Sequence, residues 1–264
     1  MELQIKTLSP QLGVEITGID VSKTIENGTL DILKDAYEKY HLLVIRSQKL
    51  NEDELLFFSK YFAEPIISLY PKFKLPNYPV ITRHSNILDE DDEPTGAAAP
   101  EFVWHSDSYF TDNPNKATIF YSIRSPVEGG ETHLVDMCTA YDSLSDEIKK
   151  KIDGRKAIYK NAYIHRPPVV HPLVRTNPIT KRKALFVNIH RALGIENLDQ
   201  DEAMILLKEL YTHAIKEERI YRHKWRDGDL LVWDNPSTMH TATPISRDKK
   251  RLLYRILTKG SLPV

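Results

Sequence analysis

Asp229-Leu-Leu-Val-Trp233 is a short apolar run that passes through Asp234-Asn-Pro-Ser-Thr-Met-His240 into a polar stretch ending near Pro244. An apolar run of that length between turn signals reads as a buried strand. Residues 252–258 read as a second strand, joined to the first by a loop carrying Asn235, Pro236, His240 and Pro244. Toward the N-terminus, Ala184-Leu-Phe-Val-Asn-Ile189 and His41-Leu-Leu-Val-Ile-Arg46 have the same character. Residues 66–136 read as strands and loops, and residues 4–22 alternate polar and apolar side chains around Gly13 and Gly18. Helical spacing is confined to 29–40, 51–62, 145–152 and 201–218. Asn51 is a plausible N-cap for the second of these, and Ser143 or Ser145 for the third. Strands outnumber helices and no βαβ alternation runs through the chain. The expectation is a mainly β fold with flanking helices, a jelly roll, in a single domain over residues 1–264.

Composition narrows the functional classes. Of 264 residues, 41% are hydrophobic and 28% charged, as in a soluble globular protein. The formal charge of −1 gives no electrostatic reason for a nucleic-acid or membrane partner. Lys149–Lys151 and Lys181–Lys183 read as solvated faces. Cys138 is the single cysteine, so a metal must be held by nitrogen and oxygen, with ten histidines in stock. The opening residues lack the apolar core of a signal peptide, and no apolar run reaches the roughly 18–20 residues of a membrane helix. A cytoplasmic location is expected. Leu88-Asp-Glu-Asp-Asp-Glu-Pro-Thr-Gly-Ala-Ala-Ala-Pro100 is an acidic run followed by small residues, which predicts a mobile loop. Its place just before Trp104-His105 makes it a candidate active-site lid.

Trp104-His105-Ser106-Asp107 carries the first chemical signal. Read as a strand, it projects His105 and Asp107 from one face. An imidazole and a carboxylate so placed are two of the three ligands of a 2-His-1-carboxylate triad, which leaves positions open on iron. His240 is the candidate third ligand. His213 falls within a helix, His223 in a charged turn and His171 before a proline, while His133 should point away from Thr132. Arg251 and Arg255, four apart, share a strand face and suit the planar fork of a carboxylate.

With Gly129-Gly-Glu-Thr132, His171-Pro-Leu-Val-Arg-Thr-Asn-Pro178, Lys183-Ala-Leu-Phe-Val-Asn188 and Trp233-Asp-Asn235, these motifs resemble the TauD/TfdA family of Fe(II)- and 2-oxoglutarate-dependent dioxygenases. Leu12-Gly-Val-Glu-Ile-Thr-Gly-Ile-Asp20 adds to the likeness. The resemblance implies a double-stranded β-helix, with iron on His105, Asp107 and His240. It implies that Thr132 and Arg251 hold the distal carboxylate of 2-oxoglutarate, with Arg255 near both co-substrate and substrate. The co-substrates would be 2-oxoglutarate and O2, and the products succinate, CO2 and an oxidised substrate. Retention of Asp107 argues against a halogenase.

Sulfonate-specific relatives have a histidine near Ile67 and an asparagine near Glu101, so this pocket exchanges sulfonate-binding groups for a carboxylate. Tyr70, Glu101 and Arg255 are therefore the candidate substrate contacts, for a small anionic or zwitterionic metabolite. Hydroxylation is the first reading, with desaturation or isonitrile formation second. A non-catalytic metabolite-binding protein on the same scaffold and a zinc hydrolase are the competing classes. Homo-oligomers are common among the relatives.

Overall fold

Two facing sheets share one filling in the computed structural model, which describes residues 2–67, 71–97, 103–161, 165–246 and 248–263. The chain opens with β1 (Gln4–Thr7), β2 (Val14–Thr17), α1 (Asn27–Tyr40), β3 (Leu42–Ile45) and α2 (Glu52–Ser59). β4 (Lys74–Leu75), β5 (Tyr78–Ser85), β6 (Ala117–Arg124) and β7 (Thr132–Asp136) follow, then α3 (Met137–Asp142) and α4 (Asp146–Ile152). β8 (Lys156–Tyr159), β9 (Val169–Pro172), β10 (Val174–Thr176), β11 (Lys183–Leu185) and β12 (Ala192–Ile195) lead to α5 (Gln200–Ala214). The remaining strands are β13 (Tyr221–His223), β14 (Leu230–Asp234), β15 (Thr238–Ala242) and β16 (Leu252–Leu257).

The large sheet has the order β1-β2-β3-β14-β6-β16-β5-β4, antiparallel except between β2 and β3. The facing small sheet runs β13-β7-β15. Neighbours so distant in sequence make a jelly roll, the expected double-stranded β-helix. β14 shows why its apolar run is unbroken. Leu231 and Trp233 face inward, packing with Leu42, Val44, Leu253, Leu134 and Trp225 between the sheets. Leu230 and Val232 face outward, joining Leu43, Ile45, Ile119 and Ile256 beneath Leu33 and Tyr37 of α1 and Leu55 and Phe58 of α2. A strand buried on both faces has no polar alternation to show. On the far side, Val135 of β7 and Met239 of β15 pack against α3 and the Leu206, Leu207 and Leu210 face of α5.

The helices begin near their predicted starts. Asn51 and Glu54 form a reciprocal capping box, and Ser145 caps α4. α2 stops at Ser59 and α5 at Ala214, short of the expected 62 and 218. Two local expectations are corrected. Trp104–Asp107 is no regular strand: His105 makes one isolated bridge and Asp107 opens a turn. His240 lies within β15 rather than in a loop, because a single 3-10 turn at Asn235–Ser237 reverses the chain between two strands. The described part of the acidic segment, 88–97, folds back on itself. Leu88 bridges Pro94, and Asp89 Oδ1 accepts from the Asp91 and Glu93 amides.

α3, unforeseen in the sequence, starts at Asp136, whose Oδ1 accepts from the Thr139 amide at 2.7 Å. Its Oδ2 lies 2.7 Å from Nδ1 of His41, the left-handed C-cap of α1 at φ 57°, and both side chains are 1% exposed. This buried pair ties the start of α3 to the end of α1. Asp136→Ala is expected to lower the unfolding free energy by about 3 kcal/mol, combining a lost cap with an orphaned buried imidazole. Urea denaturation reads this directly, and a loss below about 1 kcal/mol would show the tie to be dispensable.

Candidate metal and co-substrate site

The site starts from a backbone pairing. His105 N donates to His240 O at 3.0 Å and His240 N donates to His105 O at 2.8 Å, so the two residues oppose each other directly. Opposed residues of an antiparallel pair share a face. Their rings lie 4.3 Å apart between centroids. His105 Nδ1 lies 2.8 Å from the Val103 carbonyl, which can only accept, so Nδ1 carries a proton and donates it there. His240 Nε2 lies 3.8 Å from Asp107 Oδ2. The three donor atoms fall within 4.8 Å of one another.

Asp107 is brought to this point by two asparagines rather than by strand geometry. Its amide donates to Asn235 Oδ1 at 2.6 Å, and Asn235 Nδ2 donates back to the Asp107 carbonyl at 2.9 Å. One residue earlier, the Ser106 amide donates to Asn188 Oδ1 at 2.7 Å and its hydroxyl to the Thr238 carbonyl at 2.8 Å. Asn188 and Asn235 stand in motifs quoted above, yet spacing assigns them no role. They are the positioning residues that sequence reasoning missed.

Burial works against the charge on Asp107. The Arg255 guanidinium, followed by His240 and His105, outweighs it and holds the carboxyl well below its usual range. Thr118 donates to Oδ2 at 2.7 Å and Arg255 Nη1 to Oδ1 at 3.2 Å. Burial, reinforced by His105, pushes His240 down to about 3, so it is neutral at physiological pH. Two imidazoles and an ionised carboxylate suit a divalent iron that must keep free positions. A second buried cluster, His41, Asp136 and Cys138, does not compete. His41 and Asp136 already bond each other, and burial pushes the Cys138 thiol up to about 12, leaving no thiolate.

Beside the triad lies a cationic end. Arg251 is buried, donates through Nη1 to the Gly130 carbonyl at 2.9 Å, and leaves Nε unsatisfied. Among the described residues no carboxylate pairs with it, and burial pushes it down to about 10. Gly130 has φ +68°, and a Cβ there would meet Ile245 at 2.8 Å and Arg251 Nη1 at 3.4 Å, so glycine seats the arginine. Thr132 Oγ1 accepts from Trp225 Nε1 at 3.0 Å, which leaves its own proton for another acceptor. Arg255 shares the inward face of β16, as expected. The four other histidines weighed in the sequence lie elsewhere. His133 pairs outward with Glu131 at 3.0 Å, and His171 Nε2 donates to the Thr111 carbonyl at 2.9 Å. His213 is helical. His223 is corrected from a charged turn to β13, buried against Asp229 at 3.1 Å. Tyr70 and Glu101, the proposed substrate contacts, lie outside the described residues.

Known proteins share this arrangement along the chain. The family profile described as "Taurine catabolism dioxygenase TauD, TfdA family" matches residues 4–257. An alpha-ketoglutarate-dependent 2,4-dichlorophenoxyacetate dioxygenase from Cupriavidus pinatubonensis is 27% identical, covering 98% of this chain and 98% of its own. A crystal structure of a taurine dioxygenase from Burkholderia xenovorans superposes with a TM-score of 0.87 at 28% identity, over 99% of this chain and 91% of that one. AAD-2 in complex with Mn(II) and N-oxalylglycine gives 0.82 at 27% identity, over 100% and 99%. With the match running from β1 to β16 and the His-Asp-His group intact, the chain belongs to the TauD/TfdA family, the oxidoreductases that work with Fe(II), 2-oxoglutarate and O2.

Proposed function

We propose that this dioxygenase holds Fe(II) on His105, Asp107 and His240 and oxidises a C–H bond of a small anionic or zwitterionic metabolite, by hydroxylation. In this reading Arg251 and Thr132 hold the distal carboxylate of 2-oxoglutarate. The observation that carries it is the buried guanidinium of Arg251 beside the triad, which no carboxylate among the described residues pairs. An unpaired buried charge costs several kcal/mol, so the site is built for an anion that arrives from outside.

When bound, iron with 2-oxoglutarate and O2 supplies the oxidising power, with succinate and CO2 as co-products. The protein's part is positioning and charge. His105 offers a fixed tautomer because Val103 holds its Nδ1 proton. Asp107 stays ionised because Arg255 faces it, and Asn235 fixes its backbone on both sides. Trp233, Leu134 and Leu253 wall the space and exclude water, which strengthens every charge interaction inside.

The substrate class follows from charge balance. Among the described residues Asp107 offsets Arg255, and Arg251 remains. Ferrous iron and the 2-oxoglutarate dianion cancel, which leaves one positive charge before Glu101 is counted and none after it. That favours a zwitterionic substrate, whose anionic group we assign to Arg255. Glu101, near His105 in sequence, and Tyr70 are assigned to the rest of it, an amine being the natural partner of Glu101. The named relatives act on an aryloxyacetate and on an aminosulfonate, both anionic at one end.

His105→Ala or Asp107→Ala is expected to abolish substrate-dependent succinate formation and the visible charge-transfer band of the anaerobic Fe(II)–2-oxoglutarate complex. Normal turnover by either variant sinks the ligand assignment. Arg251→Ala should keep iron binding while weakening 2-oxoglutarate about 10- to 100-fold, the worth of a hydrogen-bonded charge pair. Titration of the same band measures this, and an unchanged midpoint removes Arg251 from the clamp. The 88–100 segment is proposed as the lid. Limited proteolysis within it should slow when metal and 2-oxoglutarate are both present, and equal cleavage leaves it a surface loop.

A further inference from the structure

His84, a half-buried residue, carries a buried ring nitrogen that the triad and the arginine clamp do not use. It lies on β5 directly opposite Leu253 of β16, with Thr82 opposite Arg255 in the same register. Leu253 and Arg255 share the inward face of β16, and Arg251, the residue just before the strand, continues that spacing, so the His84 side chain enters the barrel between the two arginines. Its ring packs edge-on against Phe120, another inward residue, with centroids 5.1 Å apart. Its Nε2 is buried and has no hydrogen-bond partner. Arg251 Nε, two residues along the strand from Leu253, is unsatisfied as well.

We infer that His84 is a third binding residue for the 2-oxoglutarate carboxylate, its Nε2–H donating to the anion that Arg251 receives. This rests on the co-substrate reading given above. A buried ring nitrogen without a partner is costly, and beside two guanidiniums its natural partner is an anion. Among the described residues none bonds to it, and the charges bearing on it are chiefly those of Arg255 and Arg251, then Asp107. Burial first, then the Arg255 and Arg251 charges, hold its pKa well below the ordinary histidine range, so the ring remains uncharged. A neutral donor has an advantage at this place. A third cation would repel the two guanidiniums whenever the pocket stood empty, whereas an imidazole adds directionality at no charge. It also sets the carboxylate's orientation between the strand that carries Arg251 and the one that carries His84.

The test is calorimetric binding of N-oxalylglycine to the Mn(II)-loaded protein, comparing wild type with His84→Phe, His84→Gln and Arg251→Ala. His84→Phe keeps the ring packing on Phe120 and removes the donor, and is expected to weaken binding about tenfold. His84→Gln retains an N–H and should recover part of the loss. Melting temperatures without ligand control for folding, since a purely structural role would shift them and leave the affinity of the folded fraction unchanged. Equal affinity of wild type and His84→Phe overturns the assignment of His84, provided that Arg251→Ala binds more weakly. Absence of binding by wild type overturns the co-substrate reading itself, and the His84 assignment with it. A change confined to the KM of the primary substrate also overturns it, because the imidazole would then serve the other anion.

Discussion

Two backbone hydrogen bonds between His105 and His240 hold the rest of the site in register. They lengthen the small sheet by one isolated bridge beyond β15, and they set two imidazoles on the same face at a fixed separation. β15 is held in turn by five paired positions on β7, from Thr238–Asp136 to Ala242–Thr132. The histidines and Thr132 therefore belong to one rigid lattice. Asp107 reaches it through Asn235, which sits in the turn that feeds β15. A shift of one residue in that pairing would turn His240 outward and bring Met239 or Thr241 into its place.

Alternation along the strands does the remaining work. The inward positions of β16 carry Leu253 and Arg255, with Arg251 just before the strand, so apolar and cationic groups interleave within one column. Leu253, Trp233 and Phe120 exclude water around the guanidiniums and raise the strength of their field. The same alternation sends Tyr254 and Ile256 to the outer core beneath the helices. One strand thus serves packing on one face and carries cationic side chains on the other.

The sheet strands of the large face were legible because apolar runs such as Leu42–Ile45 and Leu230–Trp233 are buried on both sides and look like nothing else. β15 was not, since Thr-Met-His-Thr-Ala has one large apolar side chain and follows Asn-Pro. α3, at six residues, is too short to show a helical period. His105, Asp107 and His240 were legible as residue types, although the strand argument offered for Asp107 is replaced by its asparagine clamp. Arg251 is marked by its spacing from Arg255 as a carboxylate partner, while its co-substrate role and Thr132 come from resemblance. Asn188, Asn235, Thr118 and Trp225 act only through tertiary contacts that no spacing reveals. His84 is hidden for the same reason, its meaning coming from the strand laid beside it.

The pairing of His105 with His240 also imposes an order on synthesis. As the chain leaves the ribosome, His105 and Asp107 emerge early, while β15 and β16 are made late. Until then the proposed ligand set has no third member, Asp107 lacks its Asn235 clamp, and the His105 backbone has no partner. Long-range pairing of this kind folds slowly. A nascent chain cannot bring His105, Asp107 and His240 together before its last quarter is made, so on the proposed ligand set iron capture is deferred until the walls around it can close.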